Sequence, residues 1–418
     1  MRFRSFSIAL ALLTFGATIA QPQVPAFTPE VKEAVMKDVN RIVSETAFVP
    51  GVDFSKWSEF IKGEQAALDK ANTHRDLIVV VNTALEKFGI SHIVLSSPEM
   101  AMARSQRRAV GIGIQIEIEP EEKGIRVVAV YPGSGAADAG LQPGDLIFEN
   151  NGKPVKVQPD LAGVEGEEAN IKLHRDGKVL SFKIVRRPFS NVRPDTLTWP
   201  APDTARLQVH TFDLSYDPEL IQKHLQEAAK AKNLILDLRA NGGGAVTNML
   251  HLLTLLTPPQ TPVGSFVSKS AVNNYVKETG EKPDDLAKIA AWNAKPLKTM
   301  KLKGMEPFKG NIAVLIDGGS GSASEITAAA LQEVRGASVI GQKSAGAVLV
   351  SVIRPIANGY TLQYPITDFV TPNGIRLEGH GVVPLLEAKT TVKFGEKDEA
   401  VEKAVLLLGR IALKAGGG

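Results

Sequence analysis

At 418 residues, with 44% hydrophobic and 22% charged side chains, the chain is long enough for two or three compact domains, each with a real core. That balance excludes a largely disordered protein and a multi-span membrane protein. A formal net charge of +3 leaves no basic excess for nucleic acid, and that class of partner is set aside. The N-terminus opens with Arg2 and Arg4, continues as an apolar run from Ile8 to Phe15, and ends in Ala17-Thr18-Ile19-Ala20. This pattern predicts a secretory signal over residues 1–20, because the run falls short of the roughly 18 to 20 residues that span a bilayer. The expected mature chain is periplasmic or secreted, with no stable membrane span after cleavage. Residues 21–105 predict a helical region, with Val31, Ala34, Val35, Val39 and Ile42, and later Ile78, Val81, Leu85 and Phe88, at helical spacing.

Over 106–188 the texture changes to short strands. Ile112, Ile114, Ile116 and Ile118 alternate with Gly113, Gln115, Glu117 and Glu119. A strand at Gly124–Val130, a small-residue helix at Ser134–Gly140 and the run Leu141-Gln142-Pro143-Gly144-Asp145-Leu146-Ile147 follow. This stretch resembles a PDZ domain of the bacterial protease type. The resemblance implies that Gly111, Ile112, Gly113 and Ile114 form a loop binding a chain-terminal carboxylate, with the peptide added as a strand and Arg107 and Arg108 raising the local potential.

The segment Pro188–Pro202 predicts an extended linker, and residues 189–418 an α/β core. Strands near Leu207–Phe212, Leu234–Leu238 and Ile312–Ile316 alternate with helices at Glu219–Ala231 and Ser324–Val334, which predicts a mainly parallel sheet covered on both faces. A final amphipathic helix is expected over Asp398–Lys414.

With no cysteine there is no thiol nucleophile or thiolate ligand, and the 7 histidines form no His-Glu-x-x-His pattern. Neither metal nor other cofactor is therefore expected. Two strand-to-helix junctions stand out: Asp237-Leu238-Arg239-Ala240-Asn241-Gly242-Gly243-Gly244, and Gly318-Gly319-Ser320-Gly321-Ser322-Ala323-Ser324-Glu325. Acyl transfer needs an exposed nucleophile beside free backbone N–H groups, and glycines before a helix start supply both.

Together with the PDZ-like stretch, these loops resemble the C-terminal processing, or tail-specific, serine peptidases. The implied fold is α/β, a ClpP/crotonase-like, mainly parallel peptidase core with an inserted-type PDZ domain and a small helical N-terminal region. The resemblance implies Ser322 as nucleophile, Gly243 and Ala323 as oxyanion donors, and protein or peptide substrates with free C-terminal tails. The chain departs from the pattern at the base. The family's lysine position is Ala347, the supporting glutamine is Ser351, and a helix aspartate is Glu333. Lys343, four residues along a strand and so roughly 13 Å away, reads as a solvated side chain. The core also resembles tricorn-type peptidases, which pair serine with histidine and glutamate. That likeness implies Glu378, in Glu378-Gly379-His380-Gly381-Val382-Val383-Pro384, as orienting carboxylate. It makes His210 the first candidate base, ahead of His92 and His380. The expected function is an exported serine endopeptidase. An inactive tail-binding adaptor and a small-ester hydrolase are the alternatives.

Overall fold

The computed structural model describes residues 25–390 and 397–416, apart from 107, 118–123, 157, 164 and 191. The signal at 1–20 and Arg107 lie outside the described residues, as do the strand positions Ile118 and Glu119. The chain starts as helices: α1 (Pro29–Glu45), α2 (Trp57–Gly63), α3 (Gln65–Lys70) and α4 (His74–Glu86). Thr28 caps α1 by accepting from Val31 N, with Pro29 at the first helical position. Thr73 and Asp76 form a reciprocal capping box on α4. The stripe Val35, Val39 and Ile42 is buried against Leu77, Val81 and Leu85, as the spacing predicts. Leu349, Tyr360, Leu362 and Tyr364, from near the other end of the chain, complete this core. β1 (Val94–Ser96) and α5 (Pro98–Gln106) follow.

The next strands are β2 (Arg108–Gly111), β3 (Ile114–Glu117) and β4 (Ile125–Val130), then α6 (Gly135–Ala139), β5 (Leu146–Asn150), β6 (Lys153–Pro154), β7 (Glu168–Arg175), β8 (Lys178–Val185) and β9 (Arg187–Ser190). They form an antiparallel sheet in the order β3-β4-β5-β7-β8, with β6 on β5 and β2 paired separately to β9. Ile112, Ile125, Val127, Ile147, Ile171 and Leu173 fill its own core. Gly140 ends α6 at φ 81°, a left-handed cap open to glycine. Asp145 is buried and accepts from Arg175 Nε and Nη2, each at 2.6 Å.

The core elements are β10 (Thr196–Ala201), β11 (Thr204–Gln208), α7 (Pro218–Ala228), β12 (Asn233–Asp237), α8 (Val246–Leu256), β13 (Ser265–Ser268), α9 (Lys269–Thr279) and α10 (Leu286–Asn293). After them come β14 (Asn311–Ile316), α11 (Ala323–Arg335), β15 (Ser338–Gly341), β16 (Val350–Pro355), β17 (Thr361–Val370), β18 (Leu386–Glu387) and α12 (Glu399–Gly416). A sheet runs β10-β11-β12-β14-β15-β18, parallel from β11 onward. Buried on both faces, its central strands read as continuous apolar runs. Leu234, Leu236 and Val314 meet α7, α8 and α11, while Ile235, Leu315 and Ile340 meet Ala400, Ala404 and Leu408 of α12. The expected linker Pro188–Pro202 is in large part strand, because β10 is the sheet's edge and a proline on an edge breaks no ladder. A second sheet sets β17 between β1 and β16, with β13 farther along it.

The end of β12 is fixed by charge. Asp237 is fully buried and binds Arg206 at 2.5 Å and Arg239 at 2.7 Å, and Arg239 reaches on to Asp398 at 2.6 Å before α12. Burial alone would raise the Asp237 carboxyl, but Arg239 and Arg206 outweigh it and hold it below the usual aspartate range. Its contribution to stability is complete above the unfolded-state pKa and is lost as the pH falls through the lower native value. Asp237→Ala, which leaves two arginines facing a buried gap, is expected to cost about 3–5 kcal/mol in urea denaturation at neutral pH, and less in acid.

Candidate active site

The two glycine-rich loops leave adjacent parallel strands, β12 and β14, and are tied to each other by hydrogen bonds. Asp317 Oδ1 accepts from Ala240 N and Gly319 N, both at 2.9 Å, and Gly321 N donates to Asn241 O at 3.0 Å. Ser324 Oγ donates to the same Asn241 O at 2.7 Å. Ser322 sits at the N-cap just before α11 with φ 53° and ψ −116°, a conformation that costs a non-glycine residue energy and clusters at functional turns. The neighbourhood over-determines it. Ser322 N donates to Ala347 O at 2.8 Å and to Glu325 Oε2 at 2.9 Å. Glu325, fully buried, also accepts from Ser344 Oγ, Gly346 N and Ala347 N at 2.6, 2.7 and 2.9 Å. Ser322 lines a cleft of about 740 Å³.

Gly243 packs on the serine so closely that a Cβ there would lie 2.7 Å from Ser322 Cβ and from Gly321 O. Its amide, expected as an oxyanion donor, instead donates to Asn241 Oδ1 at 3.0 Å. The Asn241 side chain is folded back under the loop and takes that N–H out of reach. The Ala323 amide, first in the helix, has no partner among the described residues, and neither do the amides of Gly242 and Gly244 in the cleft wall. Ala323, Gly242 and Gly244 thus each bring an unpartnered amide to the cleft lining.

The structure does not bring His210 into this cleft. It lies just past β11 with its amide on Asp195 Oδ1 at 2.8 Å, and burial, with Arg193 close by, pushes its imidazole down to about 4. His380 and Lys343 are exposed, and Lys343 borders a separate surface hollow with Lys389 and Lys403. Glu333 accepts from Asn373 N at 2.8 Å, away from the cleft lining. Ala347 and Ser351 do line the cleft, and Ser351 Oγ accepts from Gln363 Nε2 at 2.8 Å.

The histidine that shares the cleft with Ser322 is His92, in a left-handed conformation at φ 58°. Its Nδ1 lies 2.7 Å from Ser91 Oγ, which lies 2.9 Å from Glu378 Oε2. Glu378 also accepts from Ser91 N and Val348 N, both at 2.8 Å. A carboxylate only accepts, so the single Ser91 hydroxyl proton goes to Glu378 and Ser91 Oγ accepts from His92 Nδ1–H. Nε2 is left as the bare nitrogen. Burial lowers the His92 pKa, and the Glu378 charge opposes that only in part, so the imidazole is neutral at pH 7. The strand-position argument placed His92 behind His210; Glu378, which reaches it through Ser91, stands 287 residues from Ser91 along the chain. The adjacent Ser91-His92 pair was the available signal.

In the antiparallel domain, Gly111, Ile112, Gly113 and Ile114 line an apolar groove of about 400 Å³ with Ile116 and Phe189. Gly113 sits at φ 85° against Ser134, whose Cβ would be 2.1 Å from any Cβ added there. Gly113 O accepts from Tyr131 N at 3.0 Å, while the amides of Ile112 and Gly113 have no partner among the described residues. β3 beside them is a sheet edge.

Residues 203–388 match peptidase family S41 and residues 110–185 match the PDZ domain: the chain carries an S41 peptidase domain preceded by a PDZ domain. It is 30% identical over 271 residues to a carboxy-terminal-processing protease of Bartonella bacilliformis, covering 62% of this chain and 57% of that protein. It is 26% identical over 322 residues to the carboxy-terminal processing protease CtpB of Bacillus subtilis, covering 71% and 62%. The chain spans about three fifths of the length of these curated relatives. Among solved structures, mature CPAF complexed with lactacystin superposes with a TM-score of 0.54 at 13% identity, covering 91% of this chain and 98% of that one. The tricorn protease superposes at 0.52 and 15%, covering 92% of this chain and 37% of that one. At these identities the likeness is one of fold.

Gly243→Ala should force the serine loop apart and lower fluorophosphonate labelling of the protein at least 100-fold. Gly242→Ala, at a position with open space around its Cα, should label like the wild type. Comparable labelling in both variants would contradict the packing described.

Proposed function

We propose that the chain is an exported serine endopeptidase that takes protein C-terminal tails and hydrolyses them with Ser322 as nucleophile and His92 as base. The observation that carries this reading is the Glu378–Ser91–His92 relay, which shares one cleft with the strained Ser322 and the free Ala323 and Gly244 amides. His92 Nε2 removes the Ser322 proton as Oγ attacks the scissile carbonyl, and the two amides receive the oxyanion. Collapse of the adduct breaks the C–N bond, and His92 returns the proton to the leaving amine. Water, deprotonated by the same nitrogen, then attacks the acyl carbonyl, the C–Oγ bond breaks, and His92 returns that proton to Ser322 Oγ as the acid departs. Glu378 and Ser91 fix the tautomer and support the imidazolium, so a lysine at the Ala347 position is unnecessary. The sequence calls for no metal or nucleotide in these steps. The parallel order β11-β12-β14-β15-β18 supports a ClpP/crotonase-like core. Export rests on the signal-like residues 1–20, and among the described residues no helix is long and apolar enough to cross a membrane.

Ser322→Ala is expected to abolish fluorophosphonate labelling and tail cleavage. His92→Ala should lower kcat/KM by about 100- to 10,000-fold, and His210→Ala should leave it within about threefold of the wild type. The base must be neutral to act, so kcat/KM should fall in acid through a pKa below the ~6.5 of an unperturbed histidine. Labelling that persists in Ser322→Ala would overturn the nucleophile, and a His210→Ala loss as large as that of His92→Ala would overturn the base. A wild type that binds tails yet neither labels nor cleaves would favour an adaptor.

The PDZ domain is proposed to hold the tail, with a terminal carboxylate on the free Ile112 and Gly113 amides and the peptide paired to the β3 edge. By titration calorimetry on the full-length Ser322→Ala protein, peptides with a free C-terminal carboxylate should bind at least tenfold tighter than their amides. Equal affinity would refute carboxylate capture.

A further inference from the structure

Glu378 is anchored on both sides along the chain. Downstream, the turn that follows it docks on the loop that Glu325 binds. Gly379 N donates to Gly346 O at 2.8 Å, Ser344 N to Val382 O at 3.1 Å, and Val382 N to Ser344 Oγ at 2.6 Å. Upstream, Val370 and Arg376 form an antiparallel bridge that turns the chain back along the end of β17. Thr371 makes the reversal, its amide donating to Ile375 O at 2.9 Å and its hydroxyl accepting from Ile375 N at 3.1 Å. Two residues on from the bridge, the same register sets Asp368 opposite Glu378. Arg376 then lies diagonal to Asp368, on the same face as Glu378.

The contacts agree with that register. Arg376 Nε donates to Asp368 Oδ2 at 2.8 Å, with Nη2 at the same distance, and Phe369 N donates to Asp368 Oδ1 at 2.7 Å. Asp368 is fully buried, and its ladder partner on β13 is the apolar Val267. Burial pushes the Asp368 carboxyl up, Arg376 pulls it down, and the Glu378 charge adds to the rise. The charged groups that act on this buried acid are thus one cation, Arg376, and one anion, the carboxylate that accepts from Ser91. Neither Asp368 nor Arg376 lines the cleft, so any influence of theirs on the reaction passes through Glu378.

Without the guanidinium, two facing carboxyl groups cannot both stay ionised away from water. The pair would take up a proton, and a protonated carboxyl is a donor for the carboxylate opposite it. That donor competes with the Ser91 hydroxyl for Glu378. Ser91, released from Glu378, can turn its own proton toward His92 Nδ1, which moves the imidazole proton to Nε2 and removes the bare nitrogen from the serine. We propose that Arg376 is a positioning residue of the peptidase: by neutralising Asp368 it reserves the Glu378 carboxylate for Ser91 and so keeps the His92 proton on Nδ1. The inference rests on the Glu378–Ser91–His92 reading and extends it to a pair of side chains behind the relay.

The test reads the His92 tautomer by NMR of nitrogen-labelled histidine, at neutral pH, in the full chain carrying Ser322→Ala. This parent protein is expected to hold the proton on Nδ1. Adding Arg376→Met should raise the Nε2–H form from a minor share to about half. Removing both charges, with Asp368→Leu and Arg376→Met together, should restore the parent tautomer, as should Arg376→Lys, which keeps the cation. With Ser322 in place, Arg376→Met should lower kcat/KM for a tail peptide by about 10- to 100-fold, with the loss in kcat and not in KM. An Arg376→Met protein that keeps the parent tautomer overturns the proposal. Should that variant not fold, a mixed tautomer in the double variant or in Arg376→Lys overturns it, and Nδ1–H in both supports it, because neither leaves Asp368 an unopposed charge. The NMR arm needs no turnover. A parent protein whose His92 is already mixed counts against the relay itself, whereas the expected tautomer without cleavage counts against Ser322 alone.

Discussion

One buried carboxylate organises the catalytic region. Glu325, in the first turn of α11, accepts from Ser322 N, Ser344 Oγ, Gly346 N and Ala347 N with no exposure to water. A buried charge of this kind is tolerated only when its lone pairs are filled by donors. Those donors come from two loops, and satisfying them fixes both. The serine is held at a positive φ that it would not adopt alone, and the 344–347 loop is drawn against the nucleophile. From that loop the chain passes directly to Val348, whose amide binds Glu378, and into β16. The base relay and the cleft wall are therefore positioned from the same anchor.

The second carboxylate, Glu378, joins the two ends of the sequence. Its oxygens accept from Ser91 near the N-terminal helices and from Val348 in the core. This explains why the helical region shares its hydrophobic core with residues 349–364 instead of forming a core of its own. The proposed base, His92, belongs to one part of the chain and the proposed nucleophile, Ser322, to the other, and the shared core of Leu77, Leu95, Tyr360 and Leu362 joins the two parts.

Much of this was legible in the residues. The stripe Val35, Val39 and Ile42 and the two glycine-rich junctions each carry a local rule that the folded chain obeys, whereas the alternation expected from Ile112 is broken by Gly113 at φ 85°, so that the strand starts only at Ile114. What was not legible is what each face packs against. Periodicity marks Val35 as buried but cannot name Tyr360 as a member of the same core. The base went to His210 because strand position in a distant relative was the guide, whereas hydrogen bonding to Ser91 and Glu378 distinguishes His92. Gly243 was expected as an oxyanion donor, and its close approach to Ser322 emerges only in the fold. Its amide was misjudged because Asn241, two residues back, can fold its side chain onto it, and no spacing rule records that.

The account turns on a neutral His92 with its bare Nε2 serving Ser322. A crystal structure of the fluorophosphonate adduct would test this most directly, because the phosphonyl group reports both the hole and the base. The account predicts the phosphonyl oxygen on the amides of Ala323 and Gly244, with His92 Nε2 about 3 Å from the Ser322 ester oxygen and Nδ1 still on Ser91. An adduct with His210 or Lys343 at that oxygen, or with His92 turned away from it, would contradict the account.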